Sequence, residues 1–192
     1  MMKKALLAAS VLVLAACSAP SEPQLNLAPQ ASTSSQMSVN GLALTLESRD
    51  LRTAQYVAVV DSGRQSVQPL HAKQNLRVTL EKAISTQLRS QGFNLTVDSE
   101  STLRLDILEA IVNVQHSIMS NEMNGKVQFQ LVAETPKGKF VKRYTGKSRK
   151  TGSMSASATD MELVLNDLMT AVLADIAADE ELLTYLKENV NA

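Results

Sequence analysis

The chain has 192 residues, with 19 basic and 19 acidic side chains, no tryptophan and one cysteine. This balanced charge argues against nucleic-acid binding, and a single cysteine excludes an internal disulfide or a multi-cysteine metal site. Three tyrosines and three phenylalanines supply few rings for stacking on sugars or bases.

The first predicted element is a lipoprotein signal peptide over residues 1–16. Lys3 and Lys4 form a basic start, and residues 5–13 form an apolar run. This run is too short to span a membrane, which takes about 20 apolar residues. Leu14-Ala15-Ala16-Cys17 then resembles the bacterial lipobox. That resemblance implies cleavage before Cys17 and acyl chains on its sulfur and on its new amino terminus. Two or more chains would hold the protein stably at a membrane.

The residue after the cysteine bears on the destination of such a protein. Ser18 is not the aspartate associated with inner-membrane retention, so the resemblance favours the outer membrane, with the domain facing the periplasm. We expect residues 17–40 to be the lipidated Cys17 and a disordered tether, because the segment is rich in Ser, Pro, Gln and Ala. Residues 41–192 are long enough for a single α+β domain.

Apolar periodicity predicts the elements of that domain. Alternation indicates strands near residues 42–46, 103–114, 127–133 and 140–144, and a nearly continuous apolar run indicates another at 56–60. The strand over 103–114 is expected to bend near Ile107 and Leu108. Helical stripes indicate one helix over residues 76–88 and another over 161–176, which residues 182–186 continue or restart. The order β-β-α-β-β-β-α predicts an α+β fold, with two helices on one face of a mostly antiparallel sheet of about five strands.

The strongest charge feature is a run of basic residues in the last predicted hairpin. It could bind anionic lipid or an acidic partner, or its lysines could protect a solvated edge strand from aggregation. The residues of this basic patch are Lys137, Lys139, Lys142, Arg143, Lys147, Arg149 and Lys150.

We predict no catalytic site, no metal site and no cofactor. His71 and His116 are too few and too scattered for metal ligation, and a hydrolase built from these histidines with Asp106 and Ser117 lacks a Gly-x-Ser-x-Gly elbow. Asp50 and Arg52 are expected to form a surface ion pair. The methionines at 154, 161 and 169 either fill the core or form an adaptable partner surface.

Three short segments are similar to the YajG family of Gram-negative lipoproteins. They are Ser48-Arg49-Asp50-Leu51-Arg52, residues 75–84, and Gln91-Gly92-Phe93, and the order of elements agrees over nearly the whole precursor. The resemblance implies an outer-membrane lipoprotein without an assigned enzymatic activity, and supplies no catalytic residues.

We therefore expect a non-enzymatic binding or accessory module of the cell envelope, held at the membrane by acyl chains on Cys17. Its candidate partners are an envelope protein or anionic lipid, and not nucleic acid. Two alternatives stay open: an envelope-acting hydrolase, and a carrier that holds a lipid or acyl chain between the sheet and the helices.

Overall fold

The computed structural model describes residues 23–63 and 67–190. The predicted signal peptide and Cys17 lie outside these residues. The described elements follow the chain in the order β1 (Ala43–Asp50), β2 (Tyr56–Asp61), β3 (Gln68–His71), α1 (Leu76–Ser90), β4 (Asn94–Leu95), β5 (Thr102–His116), β6 (Ser120–Thr135), β7 (Gly138–Ser153), α2 (Ala158–Ala177) and α3 (Glu180–Asn189).

Strand β5 organises the sheet. One of its edges pairs antiparallel with β6 from Thr102 to His116, and β6 in turn pairs antiparallel with β7. On the other edge, β1 and β2 run parallel to β5, one after the other: β1 pairs with its first half and β2 with its second half. The short strands complete the sheet, because β3 pairs antiparallel with β2 and β4 pairs parallel with β1.

The α+β class is confirmed, and three details of the prediction are wrong. The described sheet has seven strands and mixed direction, because the alternation of side chains reveals a strand but not its partner. Strands β3 and β4 are only four and two residues long, too short for a periodic signal. A third helix begins at Glu180 because Asp179 caps it, with its side chain accepting hydrogen bonds from the amides of Glu181 and Leu182.

The helices cover one face of the sheet. In α1, the residues Leu76, Leu80, Ile84 and Leu88 recur every four positions and are buried. Helix α2 packs on β5, β6 and β7, and it lies so close that a Cβ at Gly125 would come within 2.7 Å of Leu168 and of a second α2 side chain.

The predicted bend in β5 is confirmed as a shift of register between Ile107 and Glu109. A bulge inserts one extra residue into a strand, so the inward-pointing side chains change from odd-numbered to even-numbered positions at that point. The inward side chains before it are Leu103, Leu105 and Ile107, and those after it are Ala110, Val112 and Val114, all at most 1% exposed.

Residues 23–40, which we call the strap, lie against the domain. The expected disordered tether is therefore wrong for this part of residues 17–40. The side chains of Leu25 and Leu27 are 0% and 2% exposed, and Leu25 forms a parallel bridge with Ala72 beyond the end of β3. Burial of these leucines favours the ordered strap, since each gains about 1.5–3 kcal/mol from leaving water.

A ladder of three hydrogen bonds ties the strap to α2. The amides of Asn26, Ala28 and Gln30 donate to the side chains of Glu162, Asn166 and Thr170, at 2.6, 2.8 and 3.0 Å. Two residues of extended chain advance about 6.6 Å and four residues of helix advance 6.0 Å, so the two repeats stay in step over this length. The strap therefore runs parallel to α2 before it reaches the end of α1, where the amides of Ser38 and Val39 donate to the carbonyl of Gln91.

Candidate functional site

The sheet face that points away from the helices, here called the open face, carries a chain of ion pairs across four strands. Asp106 on β5 lies 2.9 Å from Arg49 on β1 and 3.2 Å from Arg104 on its own strand. Arg104 also approaches Glu134 on β6 at 3.8 Å, and Glu134 pairs with Lys139 on β7 at 2.7 Å. The chain of alternating charges therefore links β1 to the edge strand β7.

Asp106 is the buried member of this chain, at 1% exposure. Burial by itself would raise the pKa of its carboxyl, but hydrogen bonding to Arg49 and the charges of Arg49 and Arg104 outweigh that effect, so the pKa is lowered. Asp106 is thus ionised at neutral pH and holds two arginines in place on the open face.

The second half of the open face contains a shallow hollow of about 410 Å³. Lys126 pairs with Glu109 at 2.5 Å, and Arg149, on its rim, pairs with Glu122 at 2.7 Å. Lys147 also lines the hollow and has no ion-pair partner within 4 Å among the described residues. The hollow can therefore offer one ammonium group and the side-chain amides of Asn113 and Asn124 to a polar ligand.

The basic patch does not form one surface, because successive residues of β7 point to opposite faces of the sheet. Lys139, Arg143, Lys147 and Arg149 lie on the open face. Lys142 and Lys150 lie on the helix face, where Lys150 approaches Asp167 of α2 at 3.4 Å. Lys137 sits beside the turn and donates to the carbonyl of Glu188 at 2.7 Å. Binding of an anion stays a prediction, and on the open face it depends chiefly on Arg143 and Lys147.

Lys142 has a structural partner at the junction of α2 and α3. Its ammonium lies 2.7 Å from Asp179 and 2.8 Å from Glu181, and these hydrogen bonds raise the pKa of Lys142. Tyr144 donates to the same Asp179 at 2.6 Å, and burial together with this bond raises the pKa of the phenol. The junction is thereby fixed to β7.

The residues of the hydrolase alternative are not brought together. Asp106 and His116 are ten residues apart on β5, which is roughly 30 Å along a strand. His116 accepts a hydrogen bond from the amide of Ala156, Ser117 bonds to Ser120, and His71 lies at the end of β3. These four side chains therefore cannot act on one substrate atom in this conformation.

Asp50 and Arg52 form the expected pair, but in a more buried setting. Two hydrogen bonds of 2.9 and 2.8 Å join the guanidinium of Arg52 to the carboxylate of Asp50. The side chains of Arg52 and Asp50 are 6% and 15% exposed, respectively. Burial would raise the pKa of Asp50, yet the bonds from Arg52 lower it. Arg52 also donates to the carbonyl of Tyr56 at 3.4 Å, so the pair shapes the link from β1 to β2.

The methionines divide between the core and the surface. Met161 and Met169 are buried on α2 at 3% and 0% exposure, so they fill the core. Met154 is 78% exposed next to the loop between β5 and β6, where Ile118 and Met119 are also exposed. Sequence reasoning missed this apolar cluster, although the adjacent Ile118 and Met119 between two polar serines were a visible signal.

A groove of about 540 Å³ lies between the strap and the outer side of α1. Leu27, Pro29 and Val78 are among the side chains that line it. It is on the surface, outside the layer between the sheet and the helices where the carrier alternative requires an opening. The glycine contacts described above show that α2 sits tightly on the sheet in the middle of that layer.

Comparison with known families decides the relationship of the chain. The model of the family Lipoprotein_16, described as "Uncharacterized lipoprotein", matches residues 29–187. The chain belongs to this family. The matched span begins inside the strap and ends in α3. It therefore includes all the strands described above, the whole of α1 and α2, and most of α3.

The chain is also similar to the proteins named "Uncharacterized lipoprotein YajG" from Escherichia coli strain K12 and strain O6:H1. Each is 23% identical to this chain over 182 residues, which is 94% of both chains. The resemblance to the YajG family is therefore confirmed. Membership of a lipoprotein family fits a protein anchored at a membrane. Within residues 23–63 and 67–190, no helix has the length and apolarity that a membrane crossing requires.

The fold also occurs in a solved structure. The crystal structure of protein XCC0632 from Xanthomonas campestris superposes with a TM-score of 0.55 and 11% identity, covering 87% of this chain and 97% of that one. At this identity the likeness extends to the fold alone.

Proposed function

We propose that this lipoprotein is a non-enzymatic binding module of the cell envelope, anchored through acyl chains on Cys17 to the periplasmic face of the outer membrane. Membership of the lipoprotein family over residues 29–187 carries the proposal. The lipobox-like Leu14-Ala15-Ala16-Cys17 supplies the attachment atom, and Ser18 favours the outer membrane.

The open face is the binding surface in this proposal. The helices cover the opposite face, whereas Arg143, Thr145 and Lys147 on β7 are exposed. Among the described strands β7 pairs only with β6, so it is also an edge strand. A polar face beside an open edge suits an envelope protein that offers carboxylates or amides, since complementary charges across an interface steer association and select the partner.

The anchor restricts the partners that this surface can meet. Leu25 is fixed on the domain, so only the residues between it and Cys17 can act as a spacer. Seven residues lie between the two, and the eight steps from Cys17 to Leu25 span at most about 28 Å when fully extended. The proposed partner is therefore a protein that is itself in or near the outer membrane.

In-cell photocrosslinking tests this function. A benzoylphenylalanine is placed at Lys147 on the open face and, as a matched control, at Ala174, which is exposed on α2. We expect a discrete adduct from position 147 that is absent from position 174 and lost in the Cys17→Ala protein. The same adducts from both positions, or none from position 147, would contradict the proposed surface.

Flotation of the native lipoprotein with vesicles tests the anchor. The full product should float with lipid, and Cys17→Ala should abolish both flotation and the fatty-acid mass of the purified protein. A native product without fatty acid would show that the attachment at Cys17 is wrong.

A further inference from the structure

One end of the molecule carries an uncharged apolar projection. Ile118 is 100% exposed, Met119 is 81% exposed and Met154 is 78% exposed. The amide of Met154 donates to the carbonyl of Met119 at 3.2 Å, so these residues lie side by side. We call Ile118, Met119 and Met154 the apolar tip.

The backbone holds the apolar tip in its outward position. Met154 has a φ of 64°, a left-handed conformation that is unfavourable for a residue with a side chain. Its carbonyl accepts a hydrogen bond of 2.9 Å from the side chain of Asn121, which is 5% exposed. Asn121 fits there because residue 152 is glycine: a Cβ at that position would approach the Asn121 amide to 2.9 Å.

The polypeptide leaves the described domain toward this same end. The strap runs parallel to α2, so its amino-terminal end lies toward the start of that helix. The start of α2 stands beside the tip, because the amide of Ala156 donates to His116 at the end of β5. The spacer to Cys17, of about 28 Å at most, therefore begins at the end of the molecule that carries the apolar tip.

We propose that the apolar tip inserts into the lipid leaflet that holds the acyl chains of Cys17, and so provides a second contact that orients the domain. This inference rests on the lipid anchor of the proposed function. The segments 116–121 and 151–157 contain no Asp, Glu, Lys or Arg, so insertion at headgroup depth removes no side-chain charge of these segments from water. The proposed occupant is the bilayer itself, because the anchor keeps this end of the domain within reach of lipid.

The absence of tryptophan from the sequence allows a direct test. The variant Ile118→Trp, produced as the full lipoprotein, is reconstituted in vesicles of phosphatidylethanolamine and phosphatidylglycerol. The matched control is Val97→Trp, which replaces another apolar residue, 86% exposed, at the far end of the sheet. Val97 precedes the start of β5, so roughly 45 Å of strand separates it from the tip.

We expect the indole at position 118 to emit at shorter wavelength than the indole at position 97. A lipid with a spin label near its headgroup should quench emission from position 118 about twofold or more, and emission from position 97 weakly, because an inserted side chain lies about 5–10 Å deep.

Three results would overturn the inference. Equal, weak quenching at both positions in lipoprotein that floats with the vesicles would show that the tip stays in water, while the anchor stands. A blue shift without quenching would show that protein covers the tip. Failure to float would reject the anchor and the inference that rests on it.

Discussion

The ammonium of Lys142 lies 2.7 Å from the carboxylate of Asp179, and this contact fixes the edge strand β7 to the cap of α3. The same carboxylate accepts hydrogen bonds from Tyr144 and from two amides of α3. A lysine that the sequence places in a basic patch thus has a structural role.

Asp179→Ala should therefore destabilise the protein by about 2–3 kcal/mol. The substitution removes a helix cap and leaves the buried phenol of Tyr144 without its acceptor. Urea unfolding followed by circular dichroism measures the loss. Asp175→Ala, on the exposed side of α2, is the matched control and should change the free energy of unfolding by less than about 0.5 kcal/mol. Equal effects would contradict the role of Asp179.

If the strap packs on the domain, substitution of its buried residues should destabilise the protein, whereas a disordered tether would show no such effect. Leu25→Ala should lower the free energy of unfolding by about 2–5 kcal/mol, because it leaves a cavity in the core. Met37→Ala lies in the same segment but is 75% exposed, and it should have little effect. Denaturant unfolding and the rate of proteolysis within residues 23–40 compare the two. Similar behaviour of both variants would show that the strap is not bound to the domain.

Arg52→Met should destabilise the protein by about 3 kcal/mol, because it leaves the largely buried Asp50 without its guanidinium. Arg52→Lys keeps the charge but loses the two parallel hydrogen bonds, so an intermediate loss is expected. Thermal and urea unfolding provide the measurement. Arg89→Met is the control on the exposed side of α1 and should be nearly neutral. Full stability of Arg52→Lys would show that the bidentate geometry is unimportant.

The lowered pKa of Asp106 predicts a stability that is lost in acid. The carboxyl binds a proton more readily in the unfolded chain, where an aspartate pKa is about 3.9. Its contribution is therefore complete above that pH and disappears as the pH falls through the lower, folded pKa.

Asp106→Asn should accordingly be less stable than the native protein at pH 7, with a smaller difference at about pH 3. Urea unfolding at several pH values measures this convergence. Asp98→Asn, in an exposed loop, serves as the control for removal of a surface carboxylate. A difference that stays constant with pH would show that Asp106 contributes through its shape and not through its charge.

The periodicities of the sequence predicted most of the sheet and the two longer helices, because both depend on burial of one face. The bulge of β5 could be predicted because the phase of alternation changes at Ile107 and Leu108. The parallel pairing of β1 and β2 with β5 could not be predicted, since it depends on which edge of β5 each strand meets. Strand β3 contains Pro69, which lacks an amide donor and lies at the sheet edge.

Two errors about the candidate surfaces came from reading composition without alternation. Successive side chains of a strand point to opposite faces, so Lys142 and Arg143 must lie on different faces of the sheet. The division of the basic patch could therefore be predicted once β7 was known to be a strand. The Ser, Pro and Gln content of the strap predicts disorder, although Leu25, Leu27 and Pro29 alternate with more polar or smaller residues. Its partners on α2 are about 140 positions away and left no local signal.

The ladder between the strap and α2 also determines how the fold resists tension. A pull exerted from the amino-terminal end along the strap is directed nearly parallel to α2, so the bonds at Asn26, Ala28 and Gln30 are sheared together instead of opening one by one. Shear distributes force over all three bonds and the buried leucines. A membrane-bound amino terminus would therefore load the strap in shear, and the strap could separate from α2 only if these contacts broke together.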